Sequence, residues 1–259
     1  MTTPLVLIAG GSSNAGIAVA RELRGAGMRV LTVGSDAGRI SAAAQLADGA
    51  VPFVCDLADP AAVAELVAGV RADFGPVDGL IHLVGGWRGG ADLAAQSDAD
   101  WDFLHTSVLG TLRNTSKAFF ADLAASPVGR LAIVSSTSVT APTAGNANYA
   151  AIKAAAETWV QAVAQGFAAE AAKADSAQPG PAQARPALAK SAQAQAGGTP
   201  NSSAAVVLVV KALVDDTMRA RSPERTFPGF TDVALLGRTV AELFSTDASG
   251  LNGARIILR

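Results

Sequence analysis

The chain has 259 residues, half of them hydrophobic and 16% charged, with a formal net charge of -2. So weak and slightly acidic a balance excludes an extended nucleic-acid groove or a basic membrane-surface patch, and no run reaches the roughly 18 uncharged apolar residues of a membrane span. A single cysteine, Cys55, rules out an internal disulfide, and with only two histidines beside it no structural zinc site or other metal is expected; with no basic leader ahead of the first apolar run, the expectation is a cytoplasmic protein.

Strand-like runs of β-branched and aliphatic residues fall at 5–9, 29–33, 51–54, 79–84, 130–135, 205–210 and 254–258. They are continuously apolar, the pattern of strands covered on both faces. Between them lie helix-compatible stretches such as 17–27, 60–74 and 149–173, long enough for right-handed crossovers. This alternation predicts an α/β fold: a doubly wound, parallel, seven-stranded Rossmann-type sheet with helices on both faces. Residues 1–259 read as one domain, interrupted at 174–203 by an Ala/Gln/Pro-rich insertion with Leu188 as its one large aliphatic residue. Such a segment buries too little apolar area to offset its ordering entropy and is expected to be a flexible loop at the edge of the sheet away from the ligand.

The first strand runs into Gly10-Gly11-Ser12-Ser13-Asn14-Ala15-Gly16-Ile17 and then an apolar helix. A small-residue turn between a strand and a helix lets backbone N–H groups approach a pyrophosphate, with the helix N-terminus adding a favourable field. After the second strand comes Gly34-Ser35-Asp36, with Arg39 nearby. Ser35 and Arg39 would suit a 2′-phosphate and hence NADP; Asp36 would suit a ribose 2′-hydroxyl and hence NAD, or simply cap the next helix. Further on, Tyr149 and Lys153 stand four apart, on one helix face. A phenol with a pKa near 10 is a poor acid–base group at neutral pH, and a neighbouring ammonium is expected to bring it closer. Ser136, at the end of the fifth strand, can donate to a substrate oxygen. Tyr149 is the only tyrosine in a chain with nine phenylalanines.

Gly10-x5-Gly16, Ser136 and Tyr149-x3-Lys153 together resemble the short-chain dehydrogenase/reductase family, over essentially the whole chain except 174–203. Asn14 stands at the family's middle glycine, where asparagine's tolerance of a left-handed backbone makes it a substitute. The resemblance implies that Asp56 and Leu57 meet the adenine, that Val84 and Gly85 flank the cofactor, and that backbone groups of Val214 meet the nicotinamide carboxamide. It implies that Tyr149 is the acid/base, that Lys153 modulates it and binds the ribose, and that Ser107 takes the place of the asparagine that supports a water-linked proton relay. His82 is read as a structural stand-in, Asn114 as a surface polar residue, and Trp87 as either a pocket wall or a shield for the sheet. The implied activity is hydride transfer between NAD(P) and a small carbonyl or alcohol substrate, by a homodimer or homotetramer. The alternative is a dinucleotide-binding sensor or scaffold without turnover, favoured by the altered Asn14, His82, Leu83, Ser107 and Lys211.

Overall fold

A computed structural model describes residues 3–177 and 202–259. The greater part of the expected 174–203 insertion, residues 178–201, lies outside the described residues. Its first four residues are not loop: they continue a helix that runs from Ala147 to Ala177.

Seven strands form one parallel sheet in the order β3-β2-β1-β4-β5-β6-β9. These are β1 (Leu5–Ala9), β2 (Arg29–Gly34), β3 (Val51–Val54), β4 (Gly79–His82), β5 (Arg130–Ser136), β6 (Ala204–Val210) and β9 (Arg255–Ile257). β7 (Leu213–Val214) and β8 (Thr231–Asp232), which the sequence did not suggest, pair separately in parallel. β1 and β6 are buried along their whole length, because helices cover both sides. On one side Leu5, Leu7, Leu131, Val207 and Val209 pack with α3 (Pro60–Phe74), α5 (Thr111–Ala125) and α6 (Ala147–Ala177). On the other, Val6, Ile8, Ile81, Val206 and Leu208 pack with α1 (Asn14–Gly25) and α8 (Val233–Leu243). The alternation follows from the two-residue period of a strand.

Helix starts are set by side-chain caps. Ser13 accepts from Gly16 N, Asp36 from Arg39 N at the head of α2 (Ala37–Leu46), Asp59 from Ala61 N and Asp232 from Ala234 N. Each such cap contributes about 1 kcal/mol. β1 lies between β2 and β4, so the chain reverses direction in the sheet there, and a crevice opens at the C-terminal ends of β1 and β4. One long helical segment on this edge is interrupted: α4 (Asp98–Leu104) passes through a π-helical turn (His105–Gly110) before α5 begins. Among the described residues no helix is long and apolar enough to cross a membrane.

Candidate active site

The crevice is a continuous cleft with two halves. The larger, of about 710 Å³, is lined by Gly10, Ser12, Ser35, Arg39, Asp56 and Leu57 among others. The smaller, of about 460 Å³, is lined by Ser136, Ser138, Tyr149, Lys153, Trp87 and Lys211 among others. Ser13, Leu83, Val84 and Gly85 line both.

The floor between them needs glycine. Gly10 has φ +85°, and a Cβ there would lie 2.9 Å from the backbone of Leu83 and Val84. A Cβ on Gly16 would lie 2.6 Å from Gly10 O. The turn is folded back on itself: Gly10 N and Gly11 N both donate to Val33 O, and Ser13 Oγ donates to Gly10 O. The first N–H groups of α1 have no carbonyl within the helix to bond, and they lie at this floor. A closely approached backbone, a helix N-terminus and a long cleft fit the pyrophosphate and two nucleoside arms of a nicotinamide dinucleotide.

Several expectations change here. Asn14 is not left-handed; Asp48 is the one described non-glycine residue with positive φ. Asn14 is the first residue of α1, and its Nδ2 donates to Asp215 Oδ2 at 2.8 Å, tying the turn to the segment after β6. Asp36 serves as helix cap and stays out of the cleft lining, which Ser35 and Arg39 enter. Asn114 is no surface residue: its Nδ2 donates to the carbonyls of Leu57 and Ala58 at 3.1 Å and pins the loop that carries Asp56. Val214 is buried and paired in β7, and the neighbours that line the cleft are Ala212 and Leu213. Gly16, Ile17 and Asn14 support the turn from outside the cleft lining, whereas Ala15 reaches it. Trp87 is 63% exposed and lines the smaller half, so the wall role is the one its position fits.

Ser107 lies in the larger half, away from Tyr149. Its hydroxyl donates to Phe103 O at 2.7 Å, the back-bond that serine makes inside helices. Its carbonyl accepts from Thr111 Oγ1, also at 2.7 Å. The hydroxyl and carbonyl of Ser107 are thus engaged by Phe103 and Thr111, on either side of the π turn, where Thr111 N reaches back five residues to Thr106 O.

Tyr149, Lys153 and Ser136 converge in the smaller half, but their electrostatics differ from the expectation. Burial raises the Tyr149 phenol above its ordinary pKa, with the Ser136 hydroxyl partly opposing. Lys153 does not outweigh that burial in this geometry: its ammonium donates to Val134 O at 2.8 Å and lies 5.8 Å from the Tyr149 ring centre. Lys153 is itself pushed down to about 8 by burial, against the opposing pull of Glu157. At neutral pH the site therefore holds an intact phenol beside an ammonium.

His82 is buried and pushed down to about 3 by desolvation and by the Lys153 charge. Its Nε2 lies 3.1 Å from Thr111 Oγ1. Because that hydroxyl gives its proton to Ser107 O, Nε2 carries a hydrogen and donates to it. A lowered histidine pKa means that the unfolded chain, with His82 near 6.5, takes up a proton that the native protein refuses. Stability is therefore expected to fall as the pH drops from 6.5 toward 3, by up to about 1.4 kcal/mol per unit. His82→Asn should flatten that slope in urea unfolding between pH 6.5 and 4; equal slopes in the two proteins would mean that native His82 protonates.

A family model described as short chain dehydrogenase matches residues 4–195. The chain belongs to the short chain dehydrogenase family. It is 30% identical over 151 residues to 3-oxoacyl-[acyl-carrier-protein] reductase FabG of Salmonella typhimurium, a match that covers 58% of this chain and 62% of the reductase. It is 29% identical over 168 residues to acetoacetyl-CoA reductase of Shinella zoogloeoides, covering 64% of this chain and 68% of that enzyme. The fold matches an NADPH-bound short chain oxidoreductase from Pseudomonas aeruginosa, described as containing an atypical catalytic center, with a TM-score of 0.76 at 18% identity over 98% of this chain and 95% of that one.

Three residues of this short chain dehydrogenase escaped sequence reasoning. Ser138 Oγ lies 3.1 Å from Ser136 Oγ and lines the same half of the cleft. Thr111 closes the link between His82 and the π turn, and Asp215 holds Asn14. Ser138 had a local signal, two residues beyond Ser136; the other two are contacts across 29 and 201 residues, which no local pattern reveals.

Proposed function

We propose that the protein is an NADP-dependent oxidoreductase that reduces a small carbonyl compound to an alcohol, or runs the reverse reaction. The observation that carries this reading is the meeting of Ser136, Tyr149 and Lys153 in one half of a cleft whose other half is a glycine-floored dinucleotide cradle. Bound NADPH supplies the hydride. The chain's own residues supply the rest: Ser136 donates to the substrate oxygen, and the Tyr149 hydroxyl gives its proton to that oxygen as negative charge develops. Burial keeps the phenol protonated at neutral pH, so the proton is in place, although the raised pKa makes it a weaker acid. The transfer is drawn by the developing alkoxide, a far stronger base than a phenolate. The Lys153 ammonium, beside the ring, favours the phenolate that this leaves. Trp87 and Leu213 wall the space. An intact acid–base pair in a walled cavity favours turnover over a silent scaffold.

NADP is preferred because Ser35 and Arg39 line the far end of the larger half while Asp36 is occupied as a cap. Arg39→Ala is expected to weaken NADPH about 5–20-fold, the loss of one exposed charge-assisted contact, and to leave NADH nearly unchanged. Nicotinamide fluorescence titrations with both dinucleotides read this directly, and equal losses for the two would reverse the preference. The activity is tested by NADPH oxidation across a panel of ketones, aldehydes and 3-oxo thioesters. Binding of neither dinucleotide would overturn the whole reading; binding without oxidation of any compound would favour the scaffold.

The assembly is a homodimer or homotetramer. Phe120, Trp159 and Val163 line an open groove on the outer faces of α5 and α6, which suits burial against a second copy. Sedimentation as a monomer at micromolar concentration would exclude it.

A further inference from the structure

Behind the active-site face of α6 lies a polar cluster that the mechanism above does not use. Glu157 is one turn beyond Lys153 on α6, and its side chain is only 13% exposed. Ser135, on β5 next to Ser136 and also in the lining of the smaller half, donates from Oγ to Glu157 Oε1 at 2.6 Å. Arg255, on β9 at the far edge, donates from Nε to Glu157 Oε2 at 3.0 Å. The Arg255 Nη2 is buried and has no hydrogen-bond partner among the described residues. A carboxylate under a helix, between β5 and β9, is costly unless it is paired and hydrogen-bonded. Here both oxygens are engaged, one by a neutral hydroxyl and one by a cation.

We infer that Glu157 is a positioning residue for the Tyr149–Lys153 pair: held between Ser135 and Arg255, its carboxylate sets the turn of α6 that carries Lys153 and supplies the negative charge that keeps Lys153 an ammonium at working pH. The inference rests on the proposed role of Lys153. Three features support it. Lys153 is buried and among the described residues its ammonium has one hydrogen bond, to Val134 O, so burial alone would favour loss of its proton. Residues four apart on a helix are neighbours, so the Glu157 charge acts across one turn. Finally, the other groups around Lys153 carry no negative charge to replace it. Tyr149 is a phenol on the same helix, and His82 on β4 is neutral. Of the residues on the other elements packed on α6, Asp98 and Asp102 on α4, His105 in the π turn and Arg113 and Lys117 on α5 are exposed. The half-buried Asp100 on α4 and Asp122 on α5 are paired with Arg88 and Arg71. β5 and β6 contribute no ionisable side chain along the stretch that faces α6 (Leu131, Ile133, Ser135, Val207, Val209).

Arg255 gives the inference a sign test. Its guanidinium offsets part of the Glu157 charge, so removing each partner should move Lys153 in opposite directions. Glu157→Gln keeps a side chain of the same shape, able to bond to both Ser135 and Arg255, and loses only the charge. It is expected to lower the Lys153 pKa by about one pH unit, and Arg255→Gln to raise it by a similar amount. The measurement is a pH titration of ¹³C-labelled lysine side chains by NMR on the unliganded protein. The chain has only five lysines, and Lys153→Arg assigns the signal. Since no turnover is needed, the result stands whether or not the carbonyl-reductase reading survives. In the active enzyme the alkaline limb of kcat/KM should follow the same two shifts. A Lys153 titration that Glu157→Gln leaves in place, or that both variants move in one direction, overturns the inference and reduces the cluster to a structural tie. Should Glu157→Gln fail to fold, Arg255→Gln decides alone.

Discussion

Tyr149→Phe is expected to lower kcat/KM for carbonyl reduction by about 10²–10⁴-fold, the range that removal of a positioned general acid produces. The reason is chemical, not steric. The ring packs against the core on the α5/α6 side of the sheet, and phenylalanine keeps that packing while deleting the phenolic proton between Ser136 and Lys153. The NADPH dissociation constant should stay within about twofold, since the glycine floor, Ser35 and Arg39 lie in the other half of the cleft. Stopped-flow hydride transfer and fluorescence binding on the same protein separate the two effects. A variant that retains more than about a tenth of wild-type kcat/KM would remove Tyr149 from the chemistry and hand the proton to another donor. The nearest hydroxyl pair is Ser136 and Ser138.

The second large effect is expected at the floor of the cleft. Gly10→Ala places a Cβ 2.9 Å from the backbone of Leu83 and Val84, in a residue with φ +85°. An L side chain in that left-handed region costs roughly 1–2 kcal/mol, and forcing β1 and β4 apart to admit the methyl adds about 1–3 kcal/mol. The predicted loss is about 2–5 kcal/mol in urea unfolding. Dinucleotide binding should weaken as well, because the same movement displaces Val84 and Gly85, which line both halves of the cleft. Gly69→Ala is the control of opposite sign. Gly69 lies inside α3 with nothing within 4 Å of its added Cβ, so helix propensity should stabilise that variant by up to about 1 kcal/mol. If both variants lose comparable stability, the close approach at Gly10 is not the cause.

The glycine turn and the Tyr149–Lys153 pair were legible in the chain because both are local. A tight strand-to-helix turn needs its small residues in sequence, and a helix brings residues four apart together without help from the rest of the fold. The seven main strands were legible for a related reason: strands buried on both faces are apolar throughout, and a run such as Ala204–Val210 has no other stable environment. The paired β7 and β8 are two residues each and leave no periodic trace. The boundary of β4 also shifted, since Leu83 and Val84 are apolar enough to read as strand but turn away to form the shared lining of the cleft.

Pairings across the chain were not legible. Asn14 looked like a substitute for a left-handed glycine, yet its value is a bond to Asp215. Asn114 looked like surface, yet it holds the loop that carries Asp56. Ser107 looked like a relay, yet Phe103 and Thr111 engage its hydroxyl and its carbonyl. The amino-acid sequence by itself determined the sheet, the glycine turn and the spacing that sets Tyr149 and Lys153 on one helix face, since periodicity and local spacing encode them. Tertiary structure alone decided the protonation of that pair. Burial holds Tyr149 as a phenol and pulls Lys153 down to about 8, and the charges that act on Lys153 arrive from α6 and, through Glu157, from β9. Desolvation and charge proximity depend on what surrounds a group in space, and nothing in the order of residues states that.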